Sequence, residues 1–268
     1  MKMTRRGFSR IAVTVGTVVL VAFGLACSSA GPPAASDSDV PRSPDGKPDF
    51  SGIWQAVNTA SWNLEDHSAE EGVPAGQGVV VGGTIPYQEW ALEKRNENYA
   101  NRETLDPLGK CFMPGVPRVT YLPFPFEIVQ TPEYIGIYYE YVHTSRMVFL
   151  DGSKKPEALE FWMGDSHGHW EGDTLVVDVI LFTDKTWFDK AGNHHSTDLH
   201  VVERYTYLTP NHVNYEATIE DPNVFTEPWT ISFPLYRRLE ENVELLEYEC
   251  VEFIEPSPTL EQYRELAK

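Results

Sequence analysis

The sequence predicts a mainly β fold: an antiparallel meander closed into a barrel, with a β-sandwich as the alternative. Alternating polar and apolar residues dominate from Phe126 onward, as in HVNYEATIED from His212. A period of two is typical of strands with one buried and one solvated face. Turn signals such as Asp151-Gly152 and Asp221-Pro222 separate these segments. Strands that follow each other without intervening helices favour a barrel or a sandwich.

The individual strands follow from the same alternation. Their segments are rich in β-branched and aromatic residues, which strands favour. The first strand is predicted at 49–54, and the later ones include EYIGIYYEYV, RMVFL, TLVVDVILF, LHVVERYTYL, WTISFPLYRR and VELLEYECVEF.

One short helix is predicted within 86–103, which holds good helix formers. Pro86 suits the first helical turn and Thr84 is a candidate cap. The glycine-rich stretch before the helix predicts a long loop. The proline-rich stretch 111–126 predicts an irregular course over the end of the sheet. Loops of that kind often form the mouth of a ligand site.

The first 26 residues predict an export signal peptide. They have a basic start, an apolar run too short to span a membrane comfortably, and small residues before Cys27. Thr4-Arg5-Arg6-Gly7-Phe8 resembles the twin-arginine (Tat) export motif, and Gly24-Leu25-Ala26-Cys27 resembles a lipoprotein cleavage box. These resemblances imply a periplasmic lipoprotein, lipidated at Cys27 and anchored to the outer membrane. Ordinary signal-peptidase cleavage, without a lipid, is the alternative.

The segment that follows, 27–48, is rich in Ser, Pro and Asp and predicts a flexible tether. The rest, 49–268, predicts a single barrel domain. Removal of the signal would take away four basic and no acidic residues, so the net charge would fall from −19 to −23. A surface that negative repels phosphate backbones and anionic headgroups. We therefore expect no nucleic-acid partner, and membrane contact only through a lipid on Cys27.

Two further cysteines, Cys111 and Cys250, predict a disulfide in an oxidising compartment. Two buried thiols are the alternative, because twin-arginine substrates fold before they are exported. Closing so long a loop would stabilise the fold by about 4 to 5 kcal/mol in the chain-entropy model.

Two resemblances bear on the fold. Gly52-Ile53-Trp54 near the start and Arg237-Arg238 near the end resemble the calycin pattern of lipocalins and their relatives. In that pattern an early tryptophan packs under a late arginine at the closed end of a barrel. Longer motifs, PYQEWA, CFMPGVPR, PFEIVQTPEY, GDSHGHWEGDTLVVD and TIEDPNVFTEPWT, resemble a family of exported bacterial proteins without an established reaction. That second resemblance implies export and no particular chemistry.

The stretch GDSHGHWEGDTLVVD reads as a hairpin with a polar approach. Asp165, His167 and His169 would share one strand face, about 6.5 to 7 Å apart at successive positions. Such a row offers three ligands to a divalent metal such as zinc, so this is a candidate metal site. Solvated histidines beside a turn, with no cofactor, are the alternative.

The register of the hairpin decides which face these residues take. A three-residue loop, Glu171–Asp173, would place the imidazoles beside Leu175 and Val177 on the interior face. A two-residue loop would move them to the face of Val176 and Asp178. Glycine in a three-residue loop fits a bulged hairpin, which favours the inward arrangement.

A second polar cluster lies at 194–200. His195 and His200 are candidate acid–base groups there, together with Asp165 and His167 from the hairpin. A histidine oriented by a carboxylate is the minimum equipment for such chemistry near neutral pH. The predicted function is therefore a periplasm-facing barrel that handles a small, largely apolar molecule, as a lyase, hydratase, isomerase or hydrolase.

The same barrel could also act without catalysis. A lipocalin-like carrier of a small apolar or aromatic ligand is one alternative, and an envelope scaffold is another. Aromatic and cationic side chains on neighbouring predicted strands and loops are the candidate ligand contacts. These are Tyr139, Tyr141, Arg146, Trp187 and Arg118.

Overall fold

Nine strands close into a barrel in the computed structural model of the protein, which describes residues 40–153 and 159–250. The strands are β1 Gly52–Ala56, β2 Phe126–Gln130, β3 Tyr134–Tyr139, β4 Ser145–Phe149, β5 Asp165–Glu171, β6 Thr174–Ile180, β7 His200–Thr209, β8 His212–Glu220 and β9 Trp229–Arg237. Each strand pairs with the next along the chain, and β9 pairs with β1. The predicted barrel is confirmed.

One pairing departs from the predicted meander. β4 and β5 are parallel, with Val148 opposite Ser166 and Phe149 opposite His167. The other neighbouring strands are antiparallel. The connection 150–164 is long enough to return the chain to the end of the barrel from which β4 started. A parallel pair needs such a crossover, whereas a hairpin does not.

The core follows the alternation in the sequence. On β7 and β8 the inward residues Val201, Glu203, Tyr205, Tyr215 and Ala217 are buried, whereas their neighbours on the outer face are partly exposed. The polar residue among them, Glu203, is completely inaccessible to solvent. The inside of the barrel is therefore packed with side chains at this level.

The two ends of the barrel differ in the length of their connections. Short turns join β2 to β3, β5 to β6 and β7 to β8 at one end, which we call the closed end. The long connections 57–125, 181–199 and 221–228 lie at the opposite end. These three connections form the cap, which contains the helices.

The helices are α1 Glu89–Ala100 and α2 Arg102–Leu105, followed by 3₁₀ turns at Pro107–Lys110 and Arg118–Tyr121. Helix α1 begins later than predicted, and Thr84 does not cap it. The residues before it use their backbone groups elsewhere: Gln88 N donates to Val224 O and Thr226 N donates to Pro86 O. In the described part of the chain, no helix has the length and apolar character needed to cross a membrane.

At the closed end, Arg237 covers Trp54 with its guanidinium 4.2 Å from the indole centroid. Its nitrogens donate to Ser51 O at 2.7 Å and to Tyr207 Oη at 2.8 Å. The tryptophan-under-arginine arrangement implied by the calycin resemblance is therefore present. Arg238 lies outside this stack and donates to Gln55 Oε1.

Only the last part of the predicted tether, 27–48, lies within the described residues. This part, from residue 40, packs on the closed end, where Arg42 donates two hydrogen bonds to the Asp173 carboxylate at 2.9 and 2.8 Å. Lys47 lies over the Trp170 ring, 5.8 Å from its centroid. The predicted signal peptide, its cleavage box and Cys27 lie outside the described residues.

The segment 239–250, the C-terminal strap, corrects a further prediction. VELLEYECVEF was predicted as a strand, but its described part, up to Cys250, forms only one bridge, between Tyr248 and Tyr141. β1 and β9 already pair with each other, so the barrel offers no free edge to another strand. The predicted disulfide between Cys111 and Cys250 is confirmed and fixes the strap to the cap.

Candidate ligand-binding cavity

The hairpin between β5 and β6 has the register that was not favoured. Trp170 pairs with Leu175 and Glu171 pairs with Thr174, which leaves a two-residue turn. The preferred three-residue loop is therefore wrong. Glu171 remains in the strand, where its carboxylate accepts a hydrogen bond from Arg204 of β7 at 2.7 Å.

Asp165, His167 and His169 consequently belong to the outer face of the barrel. His167 Nε2 lies 2.9 Å from Asp165 Oδ2, and His169, 53% exposed, contacts Glu171. Within residues 40–153 and 159–250, no group of three or more His, Cys, Asp or Glu has metal-holding geometry. The three residues of the predicted zinc site are therefore not arranged as metal ligands: Asp165 is buried, and each imidazole lies beside a carboxylate on the outer face.

The predicted acid–base residues divide between two places: Asp165, His167 and His200 belong to the outer wall, whereas His195 does not. His200 lies on the outer wall, with Nε2 3.2 Å from Asp178 and Nδ1 3.4 Å from Glu220. His195 is buried in the cap instead. Its Nδ1 donates to Ser196 O and its Nε2 accepts from Thr186 Oγ1 at 2.7 Å. Burial lowers the pKa of His195, so its imidazole is neutral with both nitrogens occupied.

Two predicted ligand contacts, Tyr139 and Arg146, lie inside the barrel. Arg146 forms a buried, bidentate ion pair with Glu203, and its Nε donates to Ser166 Oγ at 2.8 Å. Tyr215 Oη donates to the same carboxylate at 2.8 Å. Burial raises the pKa of Tyr139 to about 12. Because this cluster is packed and its charges are paired, it forms part of the core.

Two more of the predicted ligand contacts, Arg118 and Tyr141, lie together at the capped end. They line a cavity of about 290 Å³. Its apolar wall consists of Trp62, Leu108, Leu122, Pro123, Phe124 and Tyr141. Its charged side chains are Arg102, Glu103, Asp106, Arg118 and Lys190. Trp187 does not line it and pairs with His194 within the cap.

The buried side of this cavity is rigid. Arg118 donates to both carboxylate oxygens of Asp106, at 2.8 and 2.9 Å, and Asp106 also accepts from Leu108 N. Burial raises the pKa of Tyr141 to about 12, so its hydroxyl is protonated at neutral pH and can donate a hydrogen bond. Both groups are placed before a ligand arrives.

The rim of the cavity carries a looser set of charges. Lys190 Nζ lies 3.1 Å from Glu103 Oε1 and 5.4 Å from the centroid of the Trp62 ring. Arg102 Nε lies 3.9 Å from the same Glu103 oxygen. The Glu103 side chain is 72% exposed, so one solvated carboxylate bridges two cations.

Comparisons were made with protein families, with curated proteins and with solved structures. None of them found a match. The candidate site therefore rests on the geometry described above, and the resemblance to a family of exported proteins stays a prediction.

Most of the residues around the cavity were missed from the sequence. Three separate parts of the chain supply them, so no single local motif unites them: Trp62, the segment 102–106 with Arg102, Glu103 and Asp106, and Lys190. One local signal was present: Asp106-Pro107 is typical of the start of a turn, and Asp106 does cap the 3₁₀ turn there.

A buried carboxyl next to Lys190 holds the cap together. Asp189 accepts hydrogen bonds from Leu64 N, from Asn193 N and from Asn193 Nδ2. Burial raises its pKa to about 6, although these bonds and the charge of Arg118 oppose the shift. Asp189 thus fixes the loop that carries Lys190.

Proposed function

We propose that the protein binds a small, largely apolar or aromatic molecule in the cavity at the capped end, as a carrier without catalysis. The observation that carries this proposal is the cavity itself. Its volume of about 290 Å³ is near the lower end of the range for ligand pockets, about 300 to 1,000 Å³. Mostly apolar walls with a few fixed polar groups are typical of such pockets.

The same geometry favours the carrier over the predicted enzyme. Acid–base catalysis requires the base within hydrogen-bond reach of a bound substrate. His167 and His200 lie on the outer wall, and both nitrogens of His195 are occupied. Lyase, hydratase, isomerase or hydrolase chemistry by these residues stays a prediction.

We further propose that this binding takes place in the periplasm, on a lipoprotein anchored to the outer membrane through Cys27. The supporting sequence features are the twin-arginine motif and the cleavage box before Cys27. The excess of acidic residues supports the further proposal that the protein has no nucleic-acid partner, because its surface would repel phosphate groups.

Blocking the cavity tests the proposed function. Gly109 lines the cavity, and a Cβ added there would meet no heavy atom within 4 Å. Because the Cβ itself has room, Gly109→Phe should bring a ring into the cavity, whereas Gly109→Ala should leave the cavity open. Titration calorimetry with neutral 2-naphthamide should give a dissociation constant below about 1 mM for wild type and Gly109→Ala. Equal binding by Gly109→Phe and by the wild type would reject the proposal.

A further inference from the structure

We infer that the ligand of this cavity is a small aromatic carboxylate, whose carboxylate displaces that of Glu103 from Lys190 and Arg102. This inference rests on the proposed function and adds the chemical class of the ligand.

The first support is the distribution of cations. The chain has 40 acidic and only 21 basic residues, yet three basic side chains line this one cavity. Arg118 forms a bidentate ion pair with the buried Asp106, so the positive charge of its guanidinium is already balanced. Lys190 and Arg102 lie at the rim, where their partners are exposed carboxylates: Glu103 for Lys190, and Glu103 and Glu70 for Arg102.

The second support is the state of Glu103. Its carboxylate contacts Lys190 at 3.1 Å and lies 3.9 Å from Arg102 Nε, although the side chain is 72% exposed. Exposed ion pairs contribute little free energy, because water competes for both charges. The Glu103 carboxylate therefore occupies the position that we infer for the carboxylate of the ligand, and a ligand can readily displace it. Asp106, in contrast, is fixed by Arg118 and Leu108 N.

The third support is the wall beside these cations. Trp62 lies under Lys190, and Phe124 and Tyr141 also line the cavity, with ring centroids 5.5 Å apart. Aromatic rings pack favourably on such surfaces. The Tyr141 hydroxyl adds a neutral hydrogen-bond donor. In a ligand with an aromatic ring and one carboxylate, the ring can pack on the apolar wall while the carboxylate pairs with the rim cations.

The test compares 2-naphthoate with its neutral analogue 2-naphthamide by titration calorimetry at pH 7 and low salt. The naphthoate should bind the wild type about tenfold more tightly than the amide, because charge-assisted hydrogen bonds are about twice as strong as neutral ones. If the amide binds as tightly as the naphthoate, the inference is wrong and the proposed function stands. If neither binds, the proposed function itself fails.

Variants of the rim test the same point independently. Glu103→Ala should bind 2-naphthoate about two- to fivefold more tightly, because its internal competitor is gone, and should bind 2-naphthamide as the wild type does. Lys190→Met should lose about tenfold in naphthoate affinity. Lys185→Met is the matched control, since Lys185 also lies over a tryptophan, Trp162, but outside the cavity.

Glu103→Ala keeps the test decisive even if Lys190→Met folds poorly, because Glu103 is exposed on the surface. Unchanged or weaker naphthoate binding by Glu103→Ala would overturn the inference. Weaker binding would mean that Glu103 itself helps to hold the ligand, as it would for a cationic one.

Discussion

The two ends of the barrel each depend on an arginine, but they use it differently. At the closed end, Arg237 lies on an indole and donates to a backbone carbonyl and a tyrosine hydroxyl. At the capped end, Arg118 is paired with a buried carboxylate, that of Asp106. The first arginine closes a packed end, and the second forms one side of a cavity.

This difference shows where the fold leaves room for function. The closed end has short turns and an N-terminal segment packed over it. A cleft of about 280 Å³ remains between them, but its lining has no aromatic side chain and no basic one: Ser43, Pro44, Asp45, Gln130, Thr131 and Pro132. The capped end is built from long connections that cannot pack as regularly, and its polar groups are fixed by buried partners. Binding sites commonly lie on loops supported by such a scaffold. Four variants, from the largest expected effect to the smallest, test the comparison.

Arg118→Met should have the largest effect on stability. It leaves the buried Asp106 carboxylate without its cation, and breaking such a pair costs about 3 to 5 kcal/mol. Arg118→Met combined with Asp106→Asn should recover much of the loss, because the unpaired charge is removed and the cap on Leu108 N is kept. Urea unfolding at pH 7 measures both. A loss under about 1 kcal/mol for the single variant would show that the cap does not depend on this pair.

His194→Phe should stabilise the protein in acid. The imidazole stacks on Tyr87, 6.0 Å between centroids, and neither ring nitrogen has a hydrogen-bond partner among the described residues. Burial lowers the pKa of His194 from 6.5 to about 4. As the pH falls through this range, the unfolded chain takes up a proton first, so the folded state loses up to about 3 kcal/mol.

Phenylalanine keeps the ring contact and cannot titrate, so the stability difference from wild type should grow as the pH falls from 6.5 to 4. The pKa of Asp189 is raised to about 6, so the folded state takes up this proton before the unfolded chain does. Protonation of Asp189 therefore stabilises the folded state over part of the same pH range. Because Asp189 is present in both proteins, comparing their urea midpoints isolates His194. A pH-independent difference would contradict the assignment.

Much of the barrel could be predicted, because each strand carries its own period of two. The predicted stack of Arg237 on Trp54 is also present at the closed end. The strap was not predictable in this way. VELLEYECVEF has the composition of a strand, and only the pairing of β1 with β9 shows that no edge is left for it. Alternation reports which residues suit a strand, but not whether a partner exists.

The site was harder to predict for a related reason. The hairpin histidines stood out because they are close in sequence, yet a one-residue difference in loop length moved all of them to the outer wall. The cavity residues come from three connections, 57–125, 140–144 and 181–199, and meet only after the barrel forms. Arg118 and Tyr141 were found because a cation in a loop and an aromatic beside a strand are common ligand contacts. Lys190 and Glu103 carried no such signal.

Arg237→Met tests the closed end. It removes the indole contact and the hydrogen bonds to Ser51 O and Tyr207 Oη, so we expect a loss of about 2 to 3 kcal/mol in urea unfolding. Binding of 2-naphthamide should be unchanged, because this end is opposite the cavity. A variant that lost binding while it stayed folded would show that the two ends are coupled.

His200→Gln should have the smallest effect and tests whether the ligand binds at the capped end or on the outer wall. His200 is partly exposed, and its pairs with Asp178 and Glu220 lie on the outer wall. Exposed pairs of this kind contribute less than about 1 kcal/mol, so the urea midpoint should hardly move. Affinity for 2-naphthamide should equal that of the wild type. If the glutamine variant instead lost ligand affinity in full, the site would lie on the outer wall, and the cavity at the capped end would be the wrong one.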